Sequence, residues 1–258
     1  MFEFFQIIYW QIGPIKIYTW GLFAALGFLF GFYLVRRDWL KVLSENQSFN
    51  LLIILLFGSL AGARLSYIIQ FLNYFASRPL EIIDLKQGGL AFYGGLAGAV
   101  LTAWWYARHL KLSKSKILFL LDATAPALAL GLFFGRLGCS LINDHLGAAT
   151  NLPWGIVYLD GLARQPVAEY LVISNLILLF ILVGLRRRIS LGEGKIALVF
   201  LSLYSLIRFS LDFTRARDLA ALSDPLVGGL FFSQWVSLFL FTVCLFLYFK
   251  FFYRSGNR

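Results

Sequence analysis

Seven runs of apolar residues, 17–35, 49–72, 88–107, 117–142, 166–185, 196–214 and 226–249, take up most of this 258-residue chain. Each is close to the roughly 20 residues that cross a bilayer core of about 30 Å. Hydrocarbon supplies no partner for backbone N–H and C=O groups, so a run of this kind satisfies them internally, as a helix. The pattern predicts an all-α integral membrane protein with about seven transmembrane helices. Composition agrees: 14% of residues are charged and 60% are hydrophobic, against about 25% charged in soluble domains. That excludes an ordinary soluble enzyme, and 27 Phe, 12 Tyr and 7 Trp exclude a disordered chain.

The net charge of +10 raises nucleic acid as a partner until the charges are placed. Between the runs, the first, third and fifth loops and the C-terminal tail hold fourteen Lys and Arg, while the N-terminal segment and the other loops hold six. The positive-inside rule then puts the N-terminus outside and the C-terminus in the cytoplasm. The charge is a collar facing anionic lipid headgroups, densest at Arg186, Arg187 and Arg188, and nucleic acid is not an expected partner. Residues 1–16, with Phe4, Tyr9 and Trp10, are expected as an interfacial segment; Glu3 and Lys16 there are no basic cluster and no small-residue cleavage site follows, unlike a cleaved signal. No period repeats and no loop could fold alone, so residues 1–258 are expected as a single transmembrane domain. The loop 143–165 carries turn chemistry, Asn143, Asp144, Gly147, Pro153, Gly155 and Gly161, and is expected as a small extracytoplasmic cap. Cys139 and Cys244 lie in apolar stretches and make neither a disulfide framework nor a cysteine zinc site.

Six charges fall inside the runs: Arg64, Asp122, Arg136, Glu169, Arg208 and Asp212. Each costs about 2.5–3.5 kcal/mol at mid-membrane on insertion scales and persists with a partner or a polar cavity. Arg64, Arg136 and Arg208 fall in the outer halves of the second, fourth and sixth spans. A structural reading has each snorkelling or paired, Arg208 with Asp212 at i, i+4. One pair leaves two arginines over. The alternative is an anion site, because the guanidinium fork matches phosphate and stays charged when dehydrated. Tyr204, Arg208 and Asp212 share one stripe of the sixth span, and Arg136, Cys139 and Asn143 are spaced i, i+3, i+7 on the fourth. Gly131 and Gly135 form a GxxxG pair followed by Gly138, and GGLAFYGGLAG at 88–98 flanks Tyr93 with glycines, serving either ligand access or helix packing. His109 lies in a basic loop and His145 next to Asp144, so no Ser-His-Asp or metal set forms on one side.

These residues resemble the bacterial prolipoprotein diacylglyceryl transferases, membrane enzymes of seven spans with an outside N-terminus. GRLGCSLINDHLGAATNLPWG, residues 135–155, is similar to the family's GR[IL]G stretch, polar segment, Gly and PWG. GGLAFYGG resembles its GG-x-x-F-H-GG motif, and YSLIRFSLDFTR, residues 204–215, its Tyr, Arg, acidic and Arg series. Arg64 and Tyr67 fit its second span, and Trp20 with Gly21 its aromatic-Gly pair. The chain departs from the family at Tyr93, where His is common, at Cys139, where Asn is usual, and at QPVAEYL, residues 165–171, which keeps only Pro166 and Tyr170 of HPSQLYE.

The resemblance implies transfer of the diacylglyceryl group from phosphatidylglycerol to the lipobox cysteine of preprolipoproteins, forming a thioether and releasing glycerol phosphate, with no cofactor and no metal. It implies a multi-pass protein of the bacterial inner membrane with its active site toward the outer leaflet. Arg136 matches the phosphatidylglycerol-binding arginine and Arg208 the essential sixth-span arginine. Tyr93 and Asp144 complete the expected catalytic set, the proton acceptor being Tyr93, Asp144, His145 or water. Substrate binding falls to Arg136, Arg64, Tyr67, Trp20, Cys139, Gly147, Tyr204, Asp212 and Arg215, with Asp144 and Asp212 standing where the family has Glu. Two other readings are a non-catalytic relative that binds anionic lipid or a protein partner, and an anion transporter. The second conflicts with inner halves that are apolar apart from Asp122.

Overall fold

A computed structural model of the chain describes residues 2–84, 88–143, 146–218 and 226–250. All seven apolar runs contain helix: α1 (Thr19–Trp39), α2 (Glu45–Gln70), the short α3 (Leu72–Ser77), α4 (Phe92–His109), α5 (Lys114–Ile142), α6 (Val167–Leu185), α7 (Lys195–Leu211) and α8 (Phe232–Tyr248). Five of them, α1, α2, α5, α6 and α7, are long and apolar enough to cross a membrane. Local chemistry sets the boundaries. Ser44 and Gln47 form a reciprocal capping box that starts α2 four residues ahead of its apolar run. Gly88 and Gly89 both have φ of +79°, so α4 starts only at Phe92. Before α8 the apolar run turns back on itself as a hairpin, β6 (Leu226–Val227) and β7 (Leu230–Phe231), around Gly228 and Gly229, both at positive φ.

The chain divides into two compact units, residues 36–117 and the remainder. In the remainder, α5, α6 and α7 share a core of Ala125, Ala129, Leu178, Leu182, Ile196 and Phe200. On α6, Leu171, Asn175, Leu178 and Leu182 form the buried stripe, while Ile173, Ile177 and Phe180 on the far side are 53–66% exposed. A helix apolar on both faces is suited to lipid on one of them. Lipid is as apolar as leucine, so close packing rather than hydrophobic contrast joins such helices. Accordingly α1 meets α5 through small residues: a Cβ on Gly27 would come within 3.0 Å of the Gly131 carbonyl, and one on Gly31 within 3.2 Å of the Ala127 carbonyl.

Around the C-terminal end of α5 the same unit builds a small sheet. β1 (Phe2–Glu3) pairs in parallel with β4 (Ile156–Val157), which pairs antiparallel with β5 (Ala163–Arg164). Bridges Ala149 to Arg164 and Gly147 to Arg215 extend the pairing to the segment after α7. The expected N-terminal interfacial segment, residues 1–16, runs into a hairpin that ends two residues beyond it, β2 (Tyr9–Ile12) with β3 (Ile15–Tyr18), turning at Gly13, and its Tyr9, Trp10, Ile12, Ile15 and Tyr18 are all exposed. Ahead of it, the Ile7 N–H and the Gln6 amide donate to the carbonyls of Leu141 and Ile142, at 2.9 and 2.8 Å, which satisfies acceptors that the end of α5 leaves open. Asn143 ends α5 in the left-handed conformation, φ 51°, which Asn tolerates well.

In residues 36–117, α2 and α4 pack at backbone distance. Gly58 and Gly62 face Gly94 and Gly98, and a Cβ at Gly62 or Gly98 would collide with backbone of the opposite helix. The paired glycines of 88–98 thus serve helix approach and the turn before α4.

Candidate functional site

The last turns of α5 and α7 and the sheet around them gather the polar groups of the larger unit. Asp212 is fully buried where α7 passes into a single 3-10 turn, Asp212–Thr214. Its Oδ2 accepts the Ser233 hydroxyl from α8 at 2.5 Å. Its Oδ1 lies 3.2 Å from Arg208 Nη2 and 3.7 Å from Arg215 Nη1. Both guanidiniums are nearly enclosed, with side-chain exposures of 11% and 12%. Arg208 Nη1 is buried with no hydrogen-bond partner among the described residues.

Arg208 interacts electrostatically with Arg136, Asp212, Tyr204 and Arg215, so the stripe expected on the sixth span and the signature arginine of the fourth come together. Two guanidiniums on one buried carboxylate, with Arg136 adding like charge beside Arg208, is an expensive arrangement in low dielectric that an anion would offset. Arg215 lies over the ring of the fully buried Phe231, 4.4 Å from its centroid, which fixes the fork from the α8 side.

On α5, Arg136 is half-buried and Cys139 buried. A Cβ at Gly135 would meet nothing within 4 Å, whereas one at Gly138 would press on Phe23 Cβ at 3.0 Å and the Trp20 Cα at 3.4 Å. Trp20 therefore backs α5 through its main chain, and its side chain is 45% exposed. One turn beyond Arg136 on the same face, Ser140 donates to Glu169 of α6 at 2.7 Å. Asn143 receives the Tyr158 hydroxyl and donates its amide to the Phe5 carbonyl at 3.3 Å.

Gly147 is buried, and a Cβ there would run into the backbone of Gln165. Its carbonyl accepts from Arg164 at 3.0 Å. Arg164 is 1% exposed and spans three segments. It also holds Asp160 through Nε at 2.9 Å and Nη2 at 2.6 Å, and Asp218 through Nη1 at 3.2 Å and Nη2 at 2.8 Å. The Asp218 and Asp160 carboxylates hold the Arg164 guanidinium above its usual range, and Arg164 holds both carboxyls below theirs. The local sign of this in sequence is Asp160, four residues before Arg164. Asp144, an expected catalytic residue, and His145 lie outside the described residues.

Arg64, Tyr67 and Tyr93 belong to the unit of residues 36–117. All five Arg64 donors are directed at backbone carbonyls: Nε to Ile82 at 2.8 Å, Nη1 to Gly88 and Gly89 at 3.0 and 3.1 Å, Nη2 to Asp84 at 2.9 Å and also to Glu81. A guanidinium engaged in this way has no spare fork for a phosphate. Arg64 also stands over the rings of Phe75 and Tyr67, at 5.2 and 6.0 Å. It organises the loop leading into α4, whose first turn carries Tyr93, half-buried and edge-on to Phe92.

Among the described residues no cluster of His, Cys, Asp or Glu could hold a metal ion. Comparison with known proteins adds to the geometry. Residues 7–250 match the family described as prolipoprotein diacylglyceryl transferase. A protein of Nitratidesulfovibrio vulgaris (strain Miyazaki F) is 33% identical over 238 residues, covering 88% of this chain and 84% of its own. One from Geobacter sulfurreducens is 32% identical, covering 86% and 87%. One from Bordetella avium is 32% identical, covering 93% and 92%. All three are named phosphatidylglycerol–prolipoprotein diacylglyceryl transferase.

Proposed function

The chain belongs to the prolipoprotein diacylglyceryl transferase family, and on that premise we propose that it transfers diacylglycerol from phosphatidylglycerol to the lipobox cysteine of preprolipoproteins. The observation that carries the site assignment is the buried Arg208 fork, with its unbonded Nη1, beside the Asp212 carboxylate it shares with Arg215. A phosphodiester oxygen there accepts the spare donor and offsets the excess positive charge.

In the reaction the thiolate sulfur attacks the glyceryl carbon next to the phosphate. The S–C bond forms, the C–O bond breaks, and glycerol phosphate leaves with the electron pair. Charge grows on the departing phosphate, and Arg136 and Arg208 stabilise it, with Arg215 and Tyr204 completing the surround. Asp212 orients the two forks from behind. Gly135 gives the lipid glycerol an open approach beside Arg136. The thiol proton goes to Asp144, Tyr93, His145 or water. Cys139 and Trp20 line the α1–α5 side, and Gly147 lets the cap backbone close over the site. Arg64 and Tyr67 serve by shaping the loop before Tyr93.

The chain acts as one transmembrane domain of seven spans, α4 and α8 joining the five long helices. Its N-terminus and the cap of residues 143–165 face outward, its C-terminus faces the cytoplasm, and its site opens toward the outer leaflet of a bacterial inner membrane. Residues 1–16 lie in the interface.

The test uses the full chain in liposomes containing phosphatidylglycerol, with a lipobox peptide, following peptide mass and glycerol phosphate together. Mass gain and phosphate release by the wild type, both lost in Arg136→Ala, are expected. Transfer that survives Arg136→Ala would refute the site assignment. Lipid binding with no transfer by the wild type would support the non-catalytic relative.

A further inference from the structure

Arg164 stands outside every role given above, yet it is a buried charge with five hydrogen bonds to its neighbours. Burying a guanidinium is costly unless its donors are met and its charge balanced. Here both conditions hold: five hydrogen bonds reach Asp160, Gly147 and Asp218, and two carboxylates face the one cation. A cap that only had to stay folded could do so with an apolar residue of similar volume at lower cost. What the arginine adds is a fixed geometry between three separate pieces of chain.

Those pieces lead to the phosphate-handling groups. Gly147, whose carbonyl Arg164 holds, is bridged to Arg215. On either side of that bridge the Ala148 N–H donates to the Thr214 carbonyl at 2.8 Å, and the Ala216 N–H to the Leu146 carbonyl at 2.9 Å. Asp218, also gripped by Arg164, lies three residues past that bridge. Residues 212–218 are thus tied to the cap through the backbone at 214, 215 and 216 and through the side chain of Asp218. The Arg215 side chain is held separately, over Phe231. Asp212, three residues before Arg215, takes its place from the same segment.

We infer that Arg164 is a positioning residue of the transfer reaction: by clamping Gly147 and Asp218 it fixes the 212–218 segment, and with it the Asp212–Arg215 pair that orients Arg208 toward the phosphate. The inference rests on the diacylglyceryl transferase reading. Its effect falls on the transition state, where the departing phosphate needs donors already in place, more than on ground-state lipid binding.

The experiment compares kcat and KM for phosphatidylglycerol in full-length wild type, Arg164→Lys, Arg164→Gln, Asp218→Asn and Asp218→Glu, in the same liposomes, with melting temperatures measured alongside. A displacement of about an ångström at a reacting centre costs up to about a hundredfold. Arg164→Gln is expected to lose at least tenfold in kcat with KM changed less than threefold, and Arg164→Lys to recover part of that loss by keeping the charge. Asp218 has a half-exposed side chain, so Asp218→Asn keeps the fold even where Arg164→Gln does not. It is expected to lower kcat severalfold with the melting temperature within a few degrees of wild type, and Asp218→Glu to lie closer to wild type. Wild-type kcat in both Asp218→Asn and Arg164→Lys, measured on a wild type that turns over, would overturn the inference alone. A wild type without turnover would overturn the transferase reading, and this inference with it.

Discussion

Ser233 donates its hydroxyl to Asp212 Oδ2 at 2.5 Å, which ties the first turn of α8 to the end of α7 and leaves the other carboxylate oxygen turned toward Arg208 and Arg215. Two cations therefore depend on one buried anion. Removing that anion leaves their charge uncompensated, a change that costs about 3–5 kcal/mol when a buried pair is broken. Asp212→Asn is expected to lower the melting temperature in detergent. Phosphatidylglycerol, by supplying a phosphate to the same forks, is expected to restore more stability to this variant than it adds to the wild type. Equal stabilisation of both by the lipid would show that the phosphate does not reach this pair.

Arg208→Lys separates charge from shape at the same place. The ammonium keeps the positive charge but cannot hold Asp212 and a phosphate through one planar fork. Transfer is expected to fall by about a hundredfold or more, the scale of losing one oriented donor to developing charge, with the melting temperature within a few degrees of wild type. Initial rates of glycerol phosphate release measure it, and near-normal rates would remove Arg208 from the reaction.

Asp122 explains a charge that the apolar inner halves made conspicuous. It is fully buried, and its carboxylate accepts the N–H groups of Gly192, Gly194 and Ala197 at 3.0, 2.9 and 3.0 Å. Gly194 is the N-cap of α7 and has no side chain to cap with, so a carboxylate from α5 does the work across the core. Leaving such donors unmet costs about 1–3 kcal/mol each. Asp122→Ala is expected to lose several kcal/mol of stability in a detergent unfolding series, and Asp122→Asn, whose carbonyl still accepts, substantially less. An Asp122→Ala protein as stable as wild type would show that α7 finds another cap.

The elements that were legible in the sequence are those with a long, one-dimensional signal. Each apolar run holds a helix, and Arg208, in the i, i+4, i+8 stripe with Tyr204 and Asp212, interacts with both of them and with Arg136. What the sequence hid depends on chain segments far apart. Arg64 reads as a twin of Arg136 and Arg208 in depth and type, but its donors are spent on the carbonyls of Glu81, Ile82, Asp84, Gly88 and Gly89, which no spacing rule reveals. Ser233 carried no pattern, because its partner lies 21 residues away, and for Arg164 only Asp160 is local, while Gly147 and Asp218 lie 17 and 54 residues away. The cap sheet was legible only as turn chemistry, since strands of two residues have no periodicity to read.

The glycines divide into two classes that substitution separates. At Gly98 a Cβ would strike the backbone of Gly58 on α2, while at Gly135 it would meet nothing within 4 Å. Gly98→Ala is expected to force α2 and α4 apart and lower the melting temperature by several degrees. Gly135→Ala should be neutral or stabilising by up to about 1 kcal/mol, as for Gly to Ala within a helix, while raising KM for phosphatidylglycerol if the lipid passes there. The reverse order of melting temperatures would contradict the packing of α2 against α4.

The Arg164 cluster also fixes a pH dependence and its sign. Arg164 holds the Asp160 and Asp218 carboxyls below their usual range, and an unperturbed Asp titrates near pH 3.9. A group whose folded value is depressed binds its proton more readily when unfolded, so its contribution to stability is complete above the unfolded value and is lost as pH falls through the folded one. The cap is therefore expected to hold constant stability from neutral pH down to about pH 5 and to weaken progressively below about pH 4. Asp218→Asn removes one of the two titrating carboxyls, so it should sit modestly below wild type at neutral pH and converge on it in acid, which flattens that acid limb. Melting temperature against pH for both proteins is the measurement, and identical acid limbs would show that Asp218 is not held by Arg164 in the folded protein.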